Sequence, residues 1–218
     1  MLGPVLVAPR RPREIALTFD DGPNRTATPY LLDLLALHGV RATFFLIGRW
    51  AEAEPVLARQ IVEAGHVVGN HTMTHPRLPL CPPARIEQEI RDGKMALEDV
   101  LGVAVNLFRP PHGYRTPEVL RVARELGMVT VNWNVIANDW KLPTAEGIGE
   151  RVARGIKRNR LRGLATNAVL HDGSQETPTA DRLKTVAATA YLLERFAAEG
   201  AEFVTLEGWA AEFRERER

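Results

Sequence analysis

The sequence predicts an α/β fold, an irregular (β/α) barrel of about seven parallel strands, built as a single domain by residues 14–218 behind an N-terminal extension, residues 1–13. Three observations predict it. A chain of 218 residues buries one full core and is too short for two domains of ordinary size. Short β-rich runs alternate with longer helical patterns about seven times, the rhythm of a parallel sheet covered by helices. Polar, chemically capable residues gather where the apolar runs end, the face on which barrel sites are built.

Taken in order, EIALTF (14–19) reads as a strand. Residues 28–38 read as a helix opened by Thr-Pro, ATFFLIG (42–48) as a strand, and residues 54–64 as a helix stopped by Gly65. HVVGN (66–70) is the third strand, residues 83–101 a long amphipathic helix, and VNLFRP (105–110) the fourth strand. A helix over 116–126, a strand MVTVNW (128–133), a helix over 144–158 and a strand NAVLH (167–171) follow. A helix over 179–199, a strand AEFVTL (201–206) and a short charged helix close the chain. The Arg-rich stretch RVARGIKRNRLRG (151–163) reads as the solvated face of its helix.

Composition narrows the function. Apolar residues make up 45% and charged residues 25%, the balance of a folded globular protein rather than a disordered one. The formal charge is +1, so no global field favours a polyanion, and neither nucleic acid nor an anionic membrane surface is expected as the main partner. Cys81 is the single cysteine, which excludes an internal disulfide and a multi-thiolate zinc site. Metal ligands, if any, are then His, Asp or Glu. No run approaches the roughly 18 apolar residues of a membrane span. The N-terminal stretch has Pro4 within it and no basic region before it, so it does not read as a signal peptide. The compartment stays open, cytoplasmic as written or exported with a signal removed.

Five polar clusters follow strands. LTFDDGPN (17–24) places Asp20 and Asp21 side by side, and two adjacent buried acids require a cation or an arginine partner unless they form an ordinary Asp-Gly turn. GNHTMTH (69–75) spaces His71 and His75 four apart, which on one helical turn directs both imidazoles the same way. A bare pair of this kind is common. Joined to an acid from another strand of the same sheet, it makes a two-imidazole, one-carboxylate metal site. FRPPHGYRTP (108–117) offers Arg109 as a carboxylate partner, Pro110 as part of a stiff turn, and His112 as a further ligand or a loop residue valued for its backbone N–H. WNVIANDW (133–140) offers Trp133 and Trp140 as an apolar wall for a sugar-like ligand, or Trp133 as plain core. VLHDG (169–173) places His171 directly after a buried strand, with Leu170 beside it.

In this order TFDDGP, HTMTH, RPPHG, NDW and LHD resemble the five motifs of the polysaccharide deacetylases, the family-four carbohydrate esterases with a NodB homology domain. The resemblance runs from about residue 14 to residue 206. It implies an irregular (β/α) barrel and a hydrolase that removes acetyl groups from N-acetylglucosamine polymers or oligomers, such as chitin and peptidoglycan, or from acetylxylan. It also implies one divalent metal, zinc first, with cobalt, manganese or nickel as alternatives, and an acetylated carbohydrate as partner. By the same resemblance Asp20 is the general base, and Asp21, His71 and His75 hold the metal. Arg109 holds the base, the backbone N–H of His112 meets the oxyanion, and His171 is the general acid. Trp140, Leu170, Pro110 and Asp139 line the substrate pocket.

The chain departs from the family pattern at two places. His112 stands where the family usually has Tyr, and Ile136 stands where the family usually has the Asp that orients and charges the catalytic His. Asp139 and Asp172 are the candidates to supply that charge; without it the chain would be a weakly active or inactive carbohydrate-binding pseudoenzyme. The same ligand set also serves non-haem Fe(II) oxygenases, a reading that leaves Asp20, Arg109 and His171 without roles.

Overall fold

A computed structural model describes residues 4–217. In chain order they form β1 (Glu14–Asp20), α1 (Thr28–Leu37), β2 (Thr43–Leu46), α2 (Gly48–Ala53), α3 (Pro55–Glu63), β3 (Val67–Asn70), α4 (Pro83–Leu101), β4 (Leu107–Phe108) and α5 (Pro117–Glu125). Then come β5 (Val129–Thr130), β6 (Val135–Ile136), α6 (Ala145–Leu161), β7 (Thr166–His171), α7 (Leu183–Ala198), β8 (Glu202–Phe203) and α8 (Leu206–Arg216). Helix starts follow local chemistry. Pro55, Pro83 and Pro117 open α3, α4 and α5, where the missing N–H costs nothing. The hydroxyls of Thr116 and Thr144 cap α5 and α6 by accepting from Val119 and Gly147 N–H groups.

Every strand pair is parallel, in the order β5-β4-β3-β2-β1-β7-β6, with β8 paired to the start of β1. The parallel strands of the predicted irregular barrel are therefore present, curled with the end strands β5 and β6 not paired to each other. The pleat of β1 sorts its side chains: Ile15, Leu17 and Phe19 pack outward with Leu31, Leu192 and Phe196 of the covering helices. Ala16 instead joins the inner cluster of Phe45, Leu107 and Val131, and Thr18 and Asp20 share its face. The register sets Asp20 beside His171 across the β1–β7 pair, so the ends of the two central strands meet.

Three expectations change. Residues 4–9, placed in an N-terminal extension, lie in the seam between β5 and the β6–β7 pair: Leu6 N–H donates to Thr130 O (3.0 Å), Asn132 N–H to Leu6 O (2.9 Å), and Ala165 N–H to Pro9 O (2.9 Å). Leu6 is buried in the inner cluster, so this segment is part of the barrel; residues 1–3 of the extension lie outside the described residues. The WNVIAN stretch holds the two-residue strand β6, too short to give a periodic signal. The helix expected from residue 179 begins at Leu183, which leaves residues 172–182 as a loop over the site.

Candidate active site

Asp21 leaves β1 in the left-handed region (φ 71°), and this turns its carboxylate toward the end of β3. Its Oδ1 lies 3.5 Å from His71 Nε2 and 3.3 Å from His75 Nε2. The three donor atoms lie within 4.8 Å of one another and are buried. The histidine spacing does not arise from a helical turn, as expected above, but from an irregular loop with positive φ at Thr72 and His75. Buried partners hold this loop: Asn70 Oδ1 accepts from Thr72 N–H (2.8 Å), Thr72 Oγ1 accepts from His75 N–H (3.0 Å), and Glu89 on α4 accepts from the N–H and hydroxyl of Thr74.

The donor set fits a divalent metal. His71 Nδ1 lies 2.7 Å from the carbonyl oxygen of Arg109, which can only accept, so Nδ1 carries the proton and Nε2 presents a lone pair. Burial, then the neighbouring His75, hold the His71 pKa well below its ordinary value, so the ring is neutral as a ligand must be. Asp21 Oδ1 is buried without a hydrogen-bond partner, an arrangement that costs stability unless a cation meets it.

Asp20 is tied down beside this set. Its Oδ1 accepts from Arg109 Nη1 at 2.7 Å, while Oδ2 lies 3.8 Å from His71 Nε2. Arg109 is fully buried, donating also to Thr18 Oγ1 (2.7 Å) and Asn167 Oδ1 (3.2 Å) and lying over the Phe45 ring at 4.0 Å. Burial pushes the Asp20 carboxyl up from the usual carboxylate value, against the opposing pull of Arg109.

On the far wall His171 Nδ1 lies 2.9 Å from Asp139 Oδ1, and its backbone N–H donates to Asp139 Oδ2 at 2.7 Å. Thr185 of α7 donates to the same Oδ2 at 2.8 Å. Burial lowers the His171 pKa, but Asp139 and the more distant Asp21 and Asp20 outweigh it and raise it to about 9. Asp139, expected as a pocket residue, is thus the partner of His171. This removes the motive for a pseudoenzyme, since the carboxylate missing at Ile136 is supplied three residues later. Asp172 does not compete: it accepts from Thr28 Oγ1, and burial pushes its carboxyl up to about 7.

These groups face one cavity of about 470 Å³, walled by His112, Trp133, Ile136, Trp140 and Val169. Trp140 is 42% exposed, with its ring centroid 4.7 Å from that of His171. Leu170, expected as a wall, points the other way into the core between sheet and helices, and Val169 takes the place because alternate residues of β7 share a face. Pro110 is buried outside the cavity lining. His112 takes the left-handed conformation (φ 58°), and its ring lies edge-on to His75 with centroids 4.8 Å apart. Gly173 is required by proximity: a Cβ there would sit 2.0 Å from Asp21 O. Thr18, Asn167 and Thr185, which fix the orientation of the functional groups, carry no sequence signal of their own; only their place on the inner strand faces or facing Asp139 reveals them.

Residues 8–131 match the family model described as polysaccharide deacetylase. A peptidoglycan-N-acetylglucosamine deacetylase of Bacillus cereus is 38% identical over 200 residues, 91% of this chain and 88% of the relative. A chitooligosaccharide deacetylase of a Bradyrhizobium strain is 37% identical over 197 residues, 87% of each chain. A crystal structure of a peptidoglycan N-acetylglucosamine deacetylase superposes with a TM-score of 0.81 at 32% identity, covering 93% of this chain and 90% of that one. The chain belongs to the polysaccharide deacetylase family and is a carbohydrate deacetylase.

Proposed function

We propose that this chain hydrolyses the N-acetyl groups of N-acetylglucosamine residues in a polymer or oligomer, with one divalent metal, zinc first, held by Asp21, His71 and His75. One observation carries the reading: Asp20 and His171 are register neighbours on β1 and β7, each locked by its own partner, and both border the Asp21, His71 and His75 set. A divalent ion at that set supplies Lewis acidity toward a carbonyl and lowers the pKa of water toward roughly 7.

The residues divide the remaining work. Asp20, fixed by Arg109, takes the proton of the attacking water. The backbone N–H of His112, on its left-handed turn at the cavity wall, meets the oxyanion, a contribution typically worth about 3 kcal/mol per donor. His171 is protonated at neutral pH with its pKa near 9, and it donates to the departing nitrogen, which leaves as the free amine. Trp140 and Val169 flank the space in which the acetyl methyl sits.

The test is acetate release from chitooligosaccharides, peptidoglycan and acetylxylan, with and without added zinc or cobalt. The expected result is metal-stimulated release from the two N-acetylated substrates, greater than from acetylxylan. No release from either, in protein shown to have bound metal, overturns the reading.

A further inference from the structure

The net charge of +1 hides a strong separation. Residues 151–162 carry Arg151, Arg154, Lys157, Arg158, Arg160 and Arg162 and no acid, so this stretch holds +6 and the rest of the chain −5. Arg160 is paired with Glu199 at 2.6 Å. Among the described residues the other five have no carboxylate within 4.0 Å, and all five are exposed. Glu150, the nearest acid in sequence, is engaged by Arg195 and Tyr191. Arg151, Arg154, Arg158 and Arg162 recur every three or four residues, so they form one strip along α6 and its C-cap residue, roughly 16 Å long at 1.5 Å per residue. The strip starts at the catalytic cavity, because Arg151 Nε donates to the backbone oxygen of Ile136, whose residue is part of the cavity wall.

We infer that this strip binds acidic groups of the polymer whose sugar occupies the cavity, and that the preferred substrate is therefore an acid-bearing glycan rather than a neutral one. The inference rests on the deacetylase reading and names the substrate class for it. Planar guanidinium forks at 5–6 Å spacing suit carboxylates or phosphates repeated along a chain. A lipid surface fits worse. The apolar face of α6 (Ile148, Val152, Ile156) is buried in the core, which among the described residues leaves Leu161 as the exposed large apolar side chain of that helix, too little for insertion at an interface.

The test uses the whole chain and a triple variant, Arg154→Glu with Arg158→Glu and Arg162→Glu, which spares Arg151 and every residue at the cavity. Arg154→Gln with Arg158→Gln and Arg162→Gln serves as the milder version. On soluble peptidoglycan fragments, whose lactyl and peptide groups carry carboxylates, the reversal should raise KM about tenfold with kcat retained, and the Gln version less. On neutral chitooligosaccharides of equal length KM should stay within twofold. Raising the salt to about 0.5 M should do to the wild type what the reversal does, since exposed charges are screened. Pelleting with insoluble peptidoglycan and with chitin reads the same contact without catalysis. The wild type should pellet with the first far more than the second, and the reversal should lose that difference. Equal KM changes on both substrates, or pelleting that the reversal leaves intact, overturns the inference, as does a reversal that loses only binding to anionic lipid vesicles. If neither substrate is hydrolysed, the deacetylase reading fails while pelleting still decides the strip.

Discussion

His71 and His171 are the same side chain at two walls of one cavity, and their protons are controlled in opposite directions. For both, burial is the largest influence and disfavours the charged ring. The difference lies in what faces Nδ1. For His71 it is a backbone carbonyl, which fixes the tautomer but adds no full charge, and the ring stays neutral. For His171 it is the Asp139 carboxylate, itself held by Thr185, and the pKa rises to about 9. Burial alone does not set the charge of a histidine here: the charge of the partner decides whether the ring stays neutral or holds its proton.

The largest expected effect tests the ligand wall. His71→Ala removes one of three donors, so the purified protein prepared with added zinc should lose its bound metal, and activity should fall by about three orders of magnitude or more. Asp20→Asn provides the contrast, because it keeps the three donors and removes the carboxylate proposed as the base. Its metal content should match the wild type while deacetylation falls by about two orders of magnitude. Elemental analysis beside acetate release checks both. Equal metal in His71→Ala and wild type overturns the ligand assignment, and an active Asp20→Asn overturns the base.

A smaller effect tests the acid wall. With His171 acting as the proton donor, activity is present below its pKa and is lost as pH rises through it. The wild type should therefore keep activity until about pH 9. Asp139→Asn removes the charge but keeps the shape, so burial is no longer outweighed and the alkaline limb should move to near or below the unperturbed value of about 6.5. At pH 7 the rate should drop about fourfold if the limb falls at 6.5, and about thirtyfold if it falls a full unit lower. A pH profile of kcat/KM measures the limb, and an unmoved limb in Asp139→Asn would show that another group sets it.

The two walls also differ in how far the sequence reveals them. The ligand wall is local: Asp20 and Asp21 are adjacent, His71 and His75 are four apart, and both sets follow apolar runs, so residue type and order suffice. Even there the loop geometry escapes, because positive φ at Thr72 and His75 depends on Asn70 and on Glu89 of α4. The acid wall is assembled by folding. His171 meets Asp139 across 32 residues, Asp139 in turn meets Thr185 across 46, and no periodicity carries such contacts. The wall between Leu170 and Val169 turns on a one-residue choice of strand face, which the continuous apolar run AVL leaves open and the pairing with β1 decides. Likewise residues 4–9 find their place only once β5 and β7 exist to accept them.

The smallest expected effect is the sharpest test of the comparison. If a carboxylate at position 136 were what the acid wall lacks, Ile136→Asp would raise the rate and move the alkaline limb upward. The structure predicts neither. Asp139 already accepts from both the ring and the backbone N–H of His171, and Thr185 holds its second oxygen, so His171 Nδ1 has no free side for another acceptor. A new carboxylate on the half-buried cavity wall would also stand in a site that already holds Asp20 and Asp21, and like charges there repel. The expected outcome is an alkaline limb unchanged within about half a pH unit and a rate at or a few-fold below the wild type. The double variant Ile136→Asp with Asp139→Asn separates position from charge. Recovery of the limb toward 9 in the double variant alone would mean that either position can charge His171 and that this chain uses the later one. Recovery in neither would mean that only Asp139, tied to α7 through Thr185, sits where the ring can use it.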